Sequence, residues 1–161
     1  MKRLFALLLL SALPLLGQTL PSAPSNVYAA GVSFNSAASP RVAGTALYAH
    51  LASDGTGTYV FSVYDAIPTT TNPISVTSNV GVGVAQKLFV IGKIPFYAPV
   101  AAGVSWNGSN TGWQWSGGVM SAVKLNKSGW HVYPNVRFSK SSVNGGSGYM
   151  LIPGVLIGFQ K

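Results

Sequence analysis

The chain has 161 residues and a net charge of +8, yet only 7% of its residues are charged, against roughly 25% in ordinary soluble domains. The imbalance comes from a scarcity of acids, Asp54 and Asp65 alone, and not from clustered Lys or Arg, which argues against a nucleic-acid partner. With no cysteine, two distant histidines and no carboxylate cluster, the composition leaves no basis for a disulfide framework, a metal site or a cofactor.

The chain starts "MKRLFALLLLSALPLLGQ": Lys2 and Arg3, an apolar run from Leu4 to Leu16, then Gly17. This pattern is a secretory signal, expected over 1–17 with cleavage as late as about residue 25. Residues 18–161 then form one domain. Beyond the signal nothing approaches the ~20 consecutive apolar residues of a membrane helix. Turn-rich pieces such as "SAASPR", "ASDGTG", "PTTTNPI", "NGSNT" and "SSVNGGS" recur instead, and between them strands are expected at 27–35, 42–51, 58–67, 75–90, 94–106, 112–124, 129–140 and 148–160.

Successive side chains of a strand point to opposite faces, so parity shows what each face meets. In the first segment Tyr28, Ala30, Val32 and Phe34 share the apolar side. The second, "VAGTALYAHL", has no clean parity. In the third, Tyr59, Phe61 and Val63 are apolar, which places Asp65 on the same, outward side near the strand's rim. The fourth sets Val80, Val82 and Val84 against Gly81, Gly83 and Ala85. The sixth sets Trp113, Trp115, Val119 and Val123 against Gln114, Ser116, Met120 and Lys124. The seventh, "GWHVYPNVRFSK", sets Trp130, Val132, Pro134, Val136 and Phe138 against His131, Tyr133, Asn135, Arg137 and Ser139.

The charge deficit turns the aromatic and branched faces toward lipid and the small or polar faces toward an interior. In lipid an open sheet edge leaves backbone groups unpaired, so the sheet must close. The expected fold is all-β, an eight-stranded antiparallel up-and-down transmembrane β-barrel. Tyr28, Tyr59, Trp106, Trp113, Trp130, Tyr149 and Phe159 fall near strand ends, as interfacial girdles do. Pro95, Pro99, Pro134 and Pro153 fall inside strands and imply bulges or breaks. The alternative reading is a secreted soluble β-barrel or sandwich that binds an apolar ligand.

The signal, the eight alternating segments and the closing "YMLIPGVLIGFQK" resemble the small eight-stranded outer-membrane barrels of the opacity-protein and OmpA-membrane-domain type. The last strand is similar to that family's carboxy-terminal assembly signal, with Val155, Ile157 and Phe159 in its alternate positions. The resemblance implies the bacterial outer membrane, partnership with its lipids and with the barrel-assembly machinery, and both chain ends in the periplasm. Loops 36–41, 68–74, 107–111 and 141–147 then face outside. They are short, whereas receptor-gripping members carry long ones. Members with lipid-modifying activity use a His near the outer rim. His50 and His131 fall near the periplasmic end, so no enzyme is expected.

Eight strands enclose space just wide enough for side chains to fill. Gln114, Tyr133, Asn135 and Arg137 are candidates for a polar network in that lumen, beside Tyr97 and Met120. Arg41, Arg137 and Lys140 are candidates for contacts with lipid phosphate at the outer rim. "NVGVGV" and "NGGSG" lack the helix and lysine of a phosphate-binding loop and are structural. The expectation is a monomer with a largely filled lumen and a structural or lipid-contacting role in the envelope, not a wide porin.

Overall fold

A computed structural model describes residues 26–35, 41–51, 57–69, 75–143 and 148–161. The expected signal segment lies outside them. Nine strands are present among the described residues: β1 (Asn26–Asn35), β2 (Arg41–Leu51), β3 (Thr58–Thr69), β4 (Ser75–Ile91), β5 (Ile94–Asn107), β6 (Asn110–Ser121), β7 (Val123–Lys124), β8 (Trp130–Ser141) and β9 (Gly148–Gln160). Reversals fall where the backbone needs a left-handed residue. Gly92 (φ 62°) and Gly108 (φ 58°) start the tight turns after β4 and β5, and Gly129 (φ 93°) precedes β8.

Each strand pairs antiparallel with its neighbour, β1 with β9 and β6 with β8, so the sheet has no free edge and forms a closed barrel. β6 and β7 are one stave interrupted at Ala122, which makes the barrel eight-stranded. Asn26 and Lys161 exchange backbone hydrogen bonds of 2.7 and 2.9 Å and so bring the start of β1 and the end of the chain together. A sandwich is excluded by this closure.

The four strand prolines leave their strands unbroken. Pro95 and Pro153 lie just past the last pairs of the β5–β6 and β1–β9 ladders, Phe96↔Ser121 and Ser33↔Gly154. Pro99 falls in the gap between Tyr97↔Met120 and Val100↔Gly117, and Pro134 in the gap between Met120↔Asn135 and Val123↔Val132. Each stays paired on its other side, with Val90, Val136, Ala85 and Val155 respectively. Every missing N–H therefore meets a ladder that is already open there. A bulge does occur, at Leu88, where the β4–β5 register shifts between Lys87 and Phe89.

The side-chain distribution is inverted relative to a soluble domain. Val82 is 65% exposed and Phe138 56%, whereas Ser105 is 0%, Asp65 4% and Arg137 8% exposed. Strand β2 alternates cleanly after all, with Val42 and Tyr48 outside and Ala43, Thr45 and Ala49 inside. Its parity is hard to read in sequence because small apolar residues occupy both faces.

Strand β3 reverses the expected sidedness. Phe61, Val63, Asp65 and Ile67 are buried in the lumen, while Val60 and Tyr64 face outward. The physical reason is Asp65: a carboxylate on the lipid wall would have no partner, and inside it finds one. Tyr59 turns inward with that strand, away from the exterior girdle. The girdle itself is a row of directly paired residues, Tyr48, Tyr28, Phe159 and Trp130, across β2, β1, β9 and β8. Tyr28 meets Tyr48 at 5.1 Å and Trp130 meets Phe159 at 5.8 Å between ring centroids.

Two glycines show how tightly the wall is coiled. A Cβ at Gly83 would collide with the Val100 carbonyl oxygen, and one at Gly103 with that of Val80. Strands β4 and β5 thus approach each other more closely than any larger residue permits at these points.

Candidate functional site in the barrel lumen

In the closed ring β3 and β8 stand on opposite sides, and the lumen is organised around a contact between them. Arg137 of β8 reaches across the bore to Asp65 of β3, with Nη2 donating to Oδ1 at 2.8 Å and Nη1 to Oδ2 at 3.2 Å. This is the bidentate geometry in which guanidinium matches carboxylate. Asp65 Oδ1 also accepts from Thr45 Oγ1 at 2.6 Å, and the Thr45 hydroxyl shares a 2.8 Å hydrogen bond with Ser33. One bonded chain therefore links β1, β2 and β3 to β8. Beside it Ser105 donates to Asn79 Oδ1, linking β5 to β4.

All four residues of the expected lumen network are buried inside: Gln114, Tyr133, Asn135 and Arg137. One observed bond stays within this set and others leave it. Asn135 donates to the Tyr133 carbonyl at 3.2 Å, and Arg137 binds Asp65. The Tyr133 hydroxyl and Asn135 Oδ1 are buried without a hydrogen-bond partner. Sequence reasoning missed Asp65, Thr45, Ser33, Asn79 and Ser105 as members of the polar interior. The available signal was that Asp65 is the one acid within a strand, so that it needs a cation on an inward parity, of which Arg137 is one.

Toward the chain termini the lumen becomes apolar. Val27, Ala29, Ala49, Phe61, Val63, Ala85, Ala101 and Leu156 form its buried cluster, with Leu47, Tyr59, Tyr97 and Met120 packed against it. Tyr59 and Tyr97 meet edge to face at 5.6 Å. They border a cavity of about 30 Å³, room for about one water.

The cations expected at the outer rim are not gathered. Arg137 is in the lumen. Lys140 lies with its Nζ 6.0 Å from the Trp113 ring centroid, and the side chain of Arg41 is outside the described residues. His50 and His131 both fall at the end where the termini meet: His50 Nδ1 is 2.8 Å from Asn26 Oδ1, and His131 Nδ1 is 2.9 Å from the Gly129 carbonyl. Among the described residues no three of His, Asp or Glu come together as a metal site would require. Val155 and Ile157 are exposed on the outer wall of β9, and Phe159 packs on Trp130.

No protein-family model and no curated protein matches the chain. Solved structures do. One is a de novo designed transmembrane β-barrel, with a TM-score of 0.52 and 15% identity over 90% of this chain and 100% of the other. Another is the outer-membrane protein Ail of Yersinia pestis, determined in a phospholipid bilayer nanodisc, with a TM-score of 0.54 and 8% identity over 85% of this chain and 100% of the other. At these identities the likeness concerns the backbone and not the side chains of any site. The chain has the fold of the small eight-stranded transmembrane barrels.

Proposed function

We propose that the protein is an integral barrel of a bacterial outer membrane, delivered by a signal peptide and inserted by the barrel-assembly machinery through Val155, Ile157 and Phe159. It acts as a monomer, without catalysis, in a structural or lipid-contacting role. Both chain ends lie in the periplasm. The observation that carries this reading is the inverted wall: Val60, Val82, Val100, Phe138 and Ile157 are exposed, while Asp65, Asn79, Gln114 and Arg137 are buried. In water such a surface would aggregate. In hydrocarbon it is the favourable arrangement. Of the expected rim cations, Lys140 is on the outward parity of β8, and we assign it to a phosphate of the outer-leaflet glycolipid.

The packing of the lumen supports a barrier and not a conduit, since the cavity at its apolar end has room for about one water. The test is cell fractionation combined with gel electrophoresis. The mature chain should remain in outer-membrane fractions, and its mobility should differ between heated and unheated samples. Recovery in the soluble periplasmic fraction without detergent would overturn the reading.

A further inference from the structure

We infer that the barrel end at which the chain termini meet carries a binding site for the phosphates of anionic phospholipids, an inference that rests on the membrane reading above. Charge is distributed very unequally between the two ends. Of the ten Lys and Arg, Lys2 and Arg3 belong to the expected signal and Arg137 is held in the lumen. Five of the rest, Lys87, Lys93, Lys124, Lys127 and Lys161, lie at or near the termini end, and Arg41 and Lys140 lie toward the other. The connecting segments of that other end, 36–40, 70–74, 108–109 and 142–147, contain no ionisable residue.

Three of the five lysines form a site. Lys124, Lys127 and Lys161 are exposed and, with His131, line one open groove of about 520 Å³ whose apolar border is Phe159. No Asp or Glu occurs on β7, β8, β9 or the segments joining them. Asp65 is bound to Arg137, and Asp54, in the β2–β3 connection of the same end, is the one acid in the sequence there against five lysines. The Lys161 oxygen that accepts from the Asn26 N–H is part of a terminal carboxylate, one negative charge against the groove's three lysines. A positive surplus therefore stands in the groove.

The height of the groove identifies its ligand. Phe159 belongs both to the groove and to the aromatic row Tyr48, Tyr28, Phe159 and Trp130. Such rows settle at the headgroup level of a bilayer, so the lysines beside it meet lipid phosphates. Phosphates are hard anions that ammonium groups attract strongly at a low-dielectric interface. Lys93, on the adjacent β4–β5 turn, extends the cationic arc around the rim.

The experiment uses the mature chain refolded into phosphatidylcholine vesicles that contain a minor fraction of dibrominated phosphatidylglycerol or dibrominated phosphatidylcholine. Trp130 is kept as the one tryptophan through Trp106→Phe, Trp113→Phe and Trp115→Phe, and quenching of its fluorescence gives relative lipid association constants. The expected constant for phosphatidylglycerol is about fivefold that for phosphatidylcholine. It should fall toward one in Lys124→Gln/Lys127→Gln/Lys161→Gln and, in the unsubstituted groove, at high salt. A companion chain that keeps Trp106 alone, on β5 at the other end and paired with Ser78 and Thr111, should show no preference. Equal constants at Trp130 would overturn the inference while leaving the membrane reading intact. Quenching by neither lipid would overturn both. Equal constants together with retention of the chain on isolated peptidoglycan would reassign the lysines to an anionic glycan and overturn the lipid site.

Discussion

The two halves of the lumen are built by opposite means. Near the chain termini Phe61, Tyr97, Met120 and Leu156 pack apolar side chains into the bore around a cavity of about 30 Å³. In the other half Asp65 and Arg137 meet across its diameter, and Thr45 donates to the carboxylate while its hydroxyl is held by Ser33. The first device depends on volume and tolerates exchange of one apolar shape for another. The second depends on pairing, and either partner alone is a buried charge with no compensation. The difference teaches that a narrow barrel needs no single kind of core. It needs every inward group to have either close neighbours or a bond.

The largest expected effect breaks the polar half. Asp65→Ala leaves the Arg137 guanidinium buried and unpaired, at a cost of about 3–5 kcal/mol in a denaturant titration of the barrel refolded in lipid vesicles. Removing both charges, in Asp65→Leu/Arg137→Met, should recover most of that loss, because a buried pair replaced by apolar volume is near neutral. Failure of the double variant to recover would show that the pair contributes through its link to Thr45 as well.

The apolar half should respond to lost volume and not to lost polarity. Phe61→Ala, at a residue 6% exposed, should cost about 3 kcal/mol in the same titration. Leu156→Met, which conserves volume, should cost less than about 1.5 kcal/mol. A cost for Leu156→Met equal to that for Phe61→Ala would mean that shape is as strictly specified there as pairing is in the polar half.

The strands themselves were legible in sequence because alternation and turn residues report directly on local geometry. The eight expected segments match the staves to within about two residues at each end, with Ala122 as the interruption in the sixth. Sidedness was legible wherever one face was branched or aromatic and the other small or polar, as in Val80, Val82 and Val84 against Gly81, Gly83 and Ala85. It was not legible in β3, where Phe61 and Val63 are as apolar as Val60 and Tyr64, so parity alone could not say which pair faces lipid. Only the long-range requirement that Asp65 find Arg137, 72 positions away in the chain, decides it. The Tyr59–Tyr97 contact is equally non-local.

The smallest expected effect lies where the two halves join. The Tyr133 hydroxyl has no hydrogen-bond partner, so Tyr133→Phe should change stability by less than about 0.5 kcal/mol, because no bond is lost. A larger loss would reveal a bond made by that hydroxyl in the bilayer.

The central claim, a lipid-facing barrel sealed along its length, is tested most directly by electrical recording from the purified mature chain in planar bilayers. Eight strands leave an interior that side chains can fill, and here the bore is spanned by Asp65–Arg137 and packed around Phe61. The account predicts no steady conductance at moderate voltage. Reproducible channels of nanosiemens size from single chains would contradict it.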